Sequence, residues 1–157
     1  WRRTHLAEIE TRLRRLALEG WSTLISGPSR GNGFSARSST MQEVEAMLRF
    51  ISDNFTLPIT VKDIAGASSL STARAGQVFR DVLTVSIKKH LTRARLSHAR
   101  MLLIETEAKV ASVALDSGFA SLSAFYDAFT KEHKKAPAEY RRQSQRSNPF
   151  LAFHAQP

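Results

Sequence analysis

The stretches IAGASSLSTARAGQVF (residues 64–79) and VALDSGFASLSAFYDAF (residues 113–129) follow one pattern, about fifty residues apart. Each opens on a small apolar pair, Ile64-Ala65 or Val113-Ala114, passes a turn and reaches a serine, Ser71 or Ser121. Four and eight residues beyond each serine stand Ala75 and Phe79, then Phe125 and Phe129. That spacing puts both on one face of a helix that the serine caps. A short helix, a tight turn and a second helix set steeply against it make a helix-turn-helix unit. Two such units in one basic chain point toward DNA.

The surrounding sequence supports an all-α class, because no window alternates like a strand. Val44, Met47, Leu48, Ile51 and Phe55 form a helical stripe that begins near Thr40 and stops at Pro58. Thr60 and Asp63 read as an N-cap and a first-turn acid opening a short helix through Ala67. Ser71 caps a helix to about Leu83, and Ser86 starts a long linking helix to about Glu105. Lys109 to Ser117 is a short helix, Gly118 suits a positive-φ turn, and Ser121 opens a helix to about His133. Ala136-Pro137 begins one more turn through Tyr140 and Arg141. Residues 1–25 carry Leu6, Ile9, Leu13, Leu16 and Gly20 at alternating spacings of three and four, an amphipathic helix. This stripe suits packing on an upstream domain and a dimer seam alike. Residues 26–40, with three Gly, one Pro, five Ser and one Thr, read as a linker, and they lack the Gly-Lys-Ser/Thr of a phosphate loop. The expected organisation is a helix over 1–25, a linker over 26–40, the double helix-turn-helix domain over 41–142 and a tail over 143–157.

The 157 residues contain 23 Lys and Arg against 14 Asp and Glu, a net charge of +9. Such an excess favours nucleic acid first and an anionic membrane surface second. With no cysteine there is no disulfide framework, thiolate metal site or cysteine nucleophile. No apolar run approaches the roughly 20 residues that cross a bilayer. Cytoplasmic localisation fits these features. The chain begins at Trp1 in what reads as mid-helix, so it is expected to be the C-terminal part of a longer protein.

Residues 41–142 resemble the DNA-binding domain of AraC/XylS-type bacterial transcription regulators. The resemblance rests on Ile64-Ala65, Ser71, Phe79, Ser86, Leu91, Arg95-Leu96, Ala99, Leu102-Leu103, Val110 and Val113-Ala114. It continues through Gly118-Phe119, Ser121, Phe125, Phe129, Pro137 and Tyr140-Arg141, the most specific run. It implies two helix-turn-helix subdomains joined by a long helix, each placing its second helix in the major groove of double-stranded DNA. It further implies RNA polymerase as a partner, a role as activator, and a homodimer through residues 1–25 or an upstream region. DNA-alkylation sensors of this family need reactive cysteines, which this chain lacks. Three departures stand out. Thr84 and Lys134 occupy turn positions where the family usually has Gly, Asp127 stands where a basic or polar residue is common, and Gly76 offers no side chain to read a base.

Helix geometry separates core from groove. With Ala75, Val78, Phe79 and Val82 inward, Thr72, Ala73, Gly76, Gln77 and Arg80 point out. With Phe125, Ala128 and Phe129 inward, Leu122, Ser123, Ala124, Tyr126 and Asp127 lie on other faces. Gln77 suits bidentate pairing with adenine, Arg74 and Arg80 suit guanine or phosphate, and Ala73 or Ala124 suits a thymine methyl. Ser71 and Ser121 sit at helix N-termini, which favour phosphate. Lys131 extends that grip, as do Lys88, Lys89, Arg93 and Arg100 along the linking helix, while Arg95 lies close to the core stripe and reads as a member of a structural ion pair. As ordinary protein residues, most of these are simply a solvated face. Asp127 repels phosphate and accepts usefully only from cytosine, so the second unit is expected to read fewer bases than the first. No catalytic residue, metal site or cofactor is indicated: His90 and His98 are two turns apart, too far for one metal. A fold-retaining interaction module with weakened base reading is the alternative function.

Overall fold

The computed structural model describes the backbone of residues 34–146 and the side chains of 39–146. Seven helices run through this span: α1 (Phe34–Asn54), α2 (Val61–Gly66), α3 (Thr72–Leu83), α4 (Ile87–Glu105), α5 (Val110–Asp116), α6 (Leu122–His133) and α7 (Pro137–Arg146). No strand occurs among the described residues. The helix expected over residues 1–25 and the end of the tail, residues 147–157, lie outside them.

Local chemistry explains most boundaries. Thr60 and Asp63 form a reciprocal cap before α2: Thr60 N–H donates to Asp63 Oδ2 at 2.7 Å, and Asp63 N–H donates to Thr60 Oγ1 at 3.3 Å. Hydrogen bonds from Thr60 also hold the Asp63 carboxyl below its usual pKa. Serine hydroxyls cap three further helices, accepting from the backbone N–H of Arg74 (Ser71, 3.3 Å), Lys89 (Ser86, 3.2 Å) and Ala124 (Ser121, 3.2 Å). Two boundaries differ from the sequence reading. α1 starts at Phe34, inside the segment read as linker, because the glycines and the proline of that segment all precede Phe34 and the Ser, Ala and Arg that follow are compatible with helix. α7 runs on to Arg146 rather than stopping near Arg141, and its extra turn is tied by Gln145 Nε2 to Glu107 Oε1 at 2.9 Å and by Lys135 Nζ to Gln143 Oε1.

From Gln42 onward the described residues belong to one compact unit organised about α4. α4 packs against α3 in the first helix-turn-helix and against α5, α6 and α7 in the second. Its residues Leu96, Ala99, Leu102 and Leu103 share a buried cluster with Val113, Ala114, Phe119, Phe125 and Phe129. In the first unit Val44, Met47, Ile51, Ile64, Ala75, Val78 and Phe79 are buried almost completely, with Ile87 and Leu91 at the start of α4. Burying an aliphatic or aromatic side chain contributes about 1.5–3 kcal/mol each. α2 and α5 are too short to persist in isolation, so their helicity depends on this packing.

Both units end their second helix the same way. Thr84 N–H donates to Arg80 O and Lys134 N–H to Thr130 O, each at 2.8 Å. Thr84 (φ 59°) and Lys134 (φ 57°) are both left-handed, the conformation that glycine adopts most readily. A β-branched residue is strained there, at about 1–2 kcal/mol. Thr84→Gly is therefore expected to stabilise the domain by about 1 kcal/mol, and Lys134→Gly by less, because Lys is unbranched at Cβ. Urea midpoints measured at an unchanged m-value check this, and a fall in the Thr84→Gly midpoint would contradict it.

Candidate nucleic-acid interface

The two helix-turn-helix units are built on the same backbone scaffold. Leu70 N–H donates to Ala65 O, and Phe119 N–H to Ala114 O, both at 3.1 Å, which folds each turn back on its first helix. α3 and α6 then run for 12 residues each. Ala75, Val78 and Phe79 bury one face of α3, and Phe125 and Phe129 bury one face of α6. Phe119, Phe125 and Phe129 interlock, with ring centroids 5.1 Å and 5.4 Å apart along the chain of contacts.

On α3 the opposite face exposes Thr72, Ala73, Arg74, Gln77 and Arg80, with Ser71 exposed at the capped N-terminus and Gly76 half-buried. On α6 it exposes Leu122, Ser123, Ala124, Asp127 and Lys131, with Ser121 at the N-terminus. Leu122 is 44% exposed although apolar, a position that suits contact with a thymine methyl. Each N-terminus presents free backbone N–H groups together with the positive end of a helix dipole, the chemistry that holds phosphate. Tyr126 departs from this face: it is half-buried and packs on the second core, edge-on to Phe125 at 6.0 Å. Val82 and Ala128, read as inward, are half-buried.

The flanking basic residues divide by partner. Lys88, Lys89 and Arg100 are exposed on α4. Arg93 is exposed too, but Glu132 Oε1 on α6 lies 3.6 Å from its Nε, a solvated pair of small energetic weight. Arg95 is structural, as its place near the core stripe suggested, yet its partners are carbonyls rather than an acid. Its Nε donates to Phe55 O at 2.7 Å and its Nη2 to Leu57 O at 2.8 Å. Arg141 does the same in the second unit, donating to Leu103 O at 3.1 Å and Ala108 O at 2.6 Å. These clamps were hidden in the sequence, since nothing in an arginine's spacing marks a carbonyl 38 or 40 residues away as its acceptor. Imidazoles also pack inside: His90 meets Phe79 edge-on at 5.6 Å, and burial, then Arg93, pushes its pKa down. No group of three or more metal-binding side chains occurs among the described residues, and no helix among them is long and apolar enough to cross a membrane.

A helix-turn-helix domain family matches residues 64–143, which is half of the chain and takes in both units except the first residues of α2. The chain belongs to the AraC/XylS family. It is 33% identical over 145 residues to the melibiose operon regulatory protein of Escherichia coli K12, covering 92% of this chain and 48% of that protein. It is 29% identical over 100 residues to the lactose operon transcription activator of Staphylococcus xylosus, covering 64% of this chain and 36% of that one. The chain thus spans less than half of either relative. The same fold appears in the DNA-binding domain of AdpA, a global transcriptional factor solved with a target DNA, at TM-score 0.65 and 21% identity over 68% of this chain and 96% of that one. The described domain thus has the fold of AraC-type DNA-binding domains.

Nothing steric requires glycine at position 76 of α3. A Cβ built there meets only Arg80 Nη1, at 3.9 Å. Gly76→Ala is therefore expected to raise stability by up to about 1 kcal/mol through helix propensity, read as a higher urea midpoint. Destabilisation would show that the backbone at Gly76 needs a freedom that its helical conformation does not reveal.

Proposed function

We propose that this chain is the DNA-reading part of a sequence-specific transcription regulator, with α3 and α6 entering successive major-groove segments of one double-stranded site. The observation that carries this is the duplication: two helices of equal length, each opened by a serine cap, closed by a left-handed residue, buried on one face and exposed on the other. A net charge of +9 supports a phosphate-rich partner. In this reading Ser71, Arg74, Arg80, Ser121 and Lys131 hold phosphate, with Arg74 and Arg80 also placed to reach guanine. Gln77 reads a base, and Thr72, Ala73, Leu122, Ser123 and Ala124 line the groove beside it. Gly76 lets the backbone approach, and Asp127 limits what α6 reads. The whole protein would act in the cytoplasm as an activator in contact with RNA polymerase, dimerising through residues 1–25 or a region upstream. It needs no enzyme activity, metal or cofactor. The relatives' names support regulation of an operon, and activation specifically in the Staphylococcus xylosus protein.

An interaction module with decayed base reading is the second reading. Gly76 and Asp127 favour it, but the missing turn glycines no longer do, because Thr84 and Lys134 are both left-handed. The two readings part on salt. If at least six phosphates are neutralised, affinity should fall by about 10³-fold or more between roughly 50 and 200 mM monovalent salt. Fluorescence anisotropy on duplexes enriched from a random pool measures this, and a flat salt response favours the interaction module.

Side chains on α3 should also separate by role. Gln77→Ala is expected to cost about 1–3 kcal/mol on the preferred site and to relax preference at one base pair. Arg80→Ala, lacking one phosphate contact, should weaken all sequences evenly and shallow the salt slope. Asp127→Ala should tighten binding without new preference. Binding measured across single-base variants of the enriched site checks all three, and uniform equal losses from Gln77→Ala and Arg80→Ala would mean that α3 does not read bases.

A further inference from the structure

Among the described residues, the two units meet away from their shared helix at Gly118. Gly118, in the turn between α5 and α6, lies against the loop that ends α1. A Cβ built on Gly118 would stand 2.5 Å from Phe55 O, 2.9 Å from Arg95 Nε and 3.0 Å from Thr56 C. Backbone is the obstacle on two of these three counts, so no side chain can simply swing aside. Gly118 also has φ 83°, which disfavours any other residue. Its neighbour Ser117 is fully buried, and its hydroxyl lies 3.1 Å from His98 Nδ1. The His98 ring in turn stands edge-on to Phe55, centroids 5.4 Å apart. Arg95 holds the other side of the same loop through Phe55 O and Leu57 O. The turn of the second unit therefore rests on a loop of the first whose carbonyls Arg95 also holds.

We propose that this junction, Ser117-Gly118 seated on Phe55–Leu57 under Arg95 and His98, fixes the separation of α3 and α6, so that the domain accepts its two DNA elements at one spacing only. Arg95, His98, Ser117 and Gly118 are then positioning residues: they touch no DNA and act through the placement of both recognition helices. The inference rests on the DNA-reading role proposed above. Its physical basis is that a single helix bends when only its own hydrogen bonds resist, and a second point of contact away from the helix axis removes that freedom. One inserted base pair moves the far element by about 3.4 Å and turns it by about 34°. A braced pair of units cannot follow that displacement, whereas a pair joined by α4 alone can follow part of it.

The test uses the full chain and a pool of random 25-base-pair duplexes, with wild type, Gly118→Ala, Arg95→Lys and Ser117→Ala selected in parallel. Arg95→Lys keeps the charge but loses the planar fork that spans two carbonyls. Ser117→Ala removes only the hydroxyl facing His98. Far-UV circular dichroism establishes which variants fold, and if Gly118→Ala does not, the other two decide. Wild type should enrich two short elements at a single spacing, and insertion of one base pair should cost it at least about tenfold in affinity. The folded variants should enrich the same two elements at more than one spacing and lose less than about threefold on insertion. Variants that keep the single spacing would show that α4 alone sets it and would overturn the proposal while leaving the DNA-reading role intact. A wild type that enriches no sequence would overturn the DNA-reading role itself.

Discussion

Short helices cannot bury themselves. α2 has 6 residues and α5 has 7, and neither holds its shape without a partner. α3 is that partner for α2 and α4 is that partner for α5, and because α4 also packs on α3 it joins both units. Its first turns place Ile87 and Leu91 in the first unit, and its later turns place Leu96, Ala99, Leu102 and Leu103 in the second. Everything else in the domain follows from this sharing. α3 and α6 each bury one face against α4 and the neighbouring helices of their own unit, and their other faces are left open to solvent.

The two open faces differ in chemistry although their backbones match. α3 presents Arg74, Gln77 and Arg80, side chains that donate to base edges and phosphate oxygens. α6 presents Leu122, Ser123, Ala124 and Asp127, with its positive charge displaced to Lys131 near the far end. Phosphate attraction at α6 thus depends more on its N-terminal backbone than on its side chains. Its core is the better anchored of the two by aromatic contacts, with Phe119, Phe125, Phe129 and Tyr140 in mutual edge and tilted packing. Docking strength and reading power are therefore separable properties within one fold.

Arginine provides the scaffold's polar joints. Arg95 and Arg141 each close a loop by donating to two backbone carbonyls: Phe55 and Leu57 just beyond α1, and Leu103 in the last turn of α4 with Ala108 in the loop before α5. A forked guanidinium suits this better than an ammonium, since it donates in two fixed directions from one plane. An excess of basic residues in this chain is therefore not all available to DNA, and the part that is structural is set by position rather than by type.

The double helix-turn-helix was legible in the sequence because its signals are local. Serine four and eight residues before apolar positions, the Thr60–Asp63 cap and the glycine at 118 each express a physical demand within a few residues. The start of α1 and the end of α7 were less legible, because serine-rich and charged stretches suit helix and loop alike until something packs on them. Two things belonged to tertiary structure alone. One is the choice of carbonyl partners for Arg95 and Arg141, reached across 33 to 40 residues of chain. The other is the reason Gly118 must be glycine twice over: the turn's positive φ follows from its local motif, but the Phe55 carbonyl pressed against it comes from another unit. A contact between distant segments is created by folding, and no spacing within either segment encodes it.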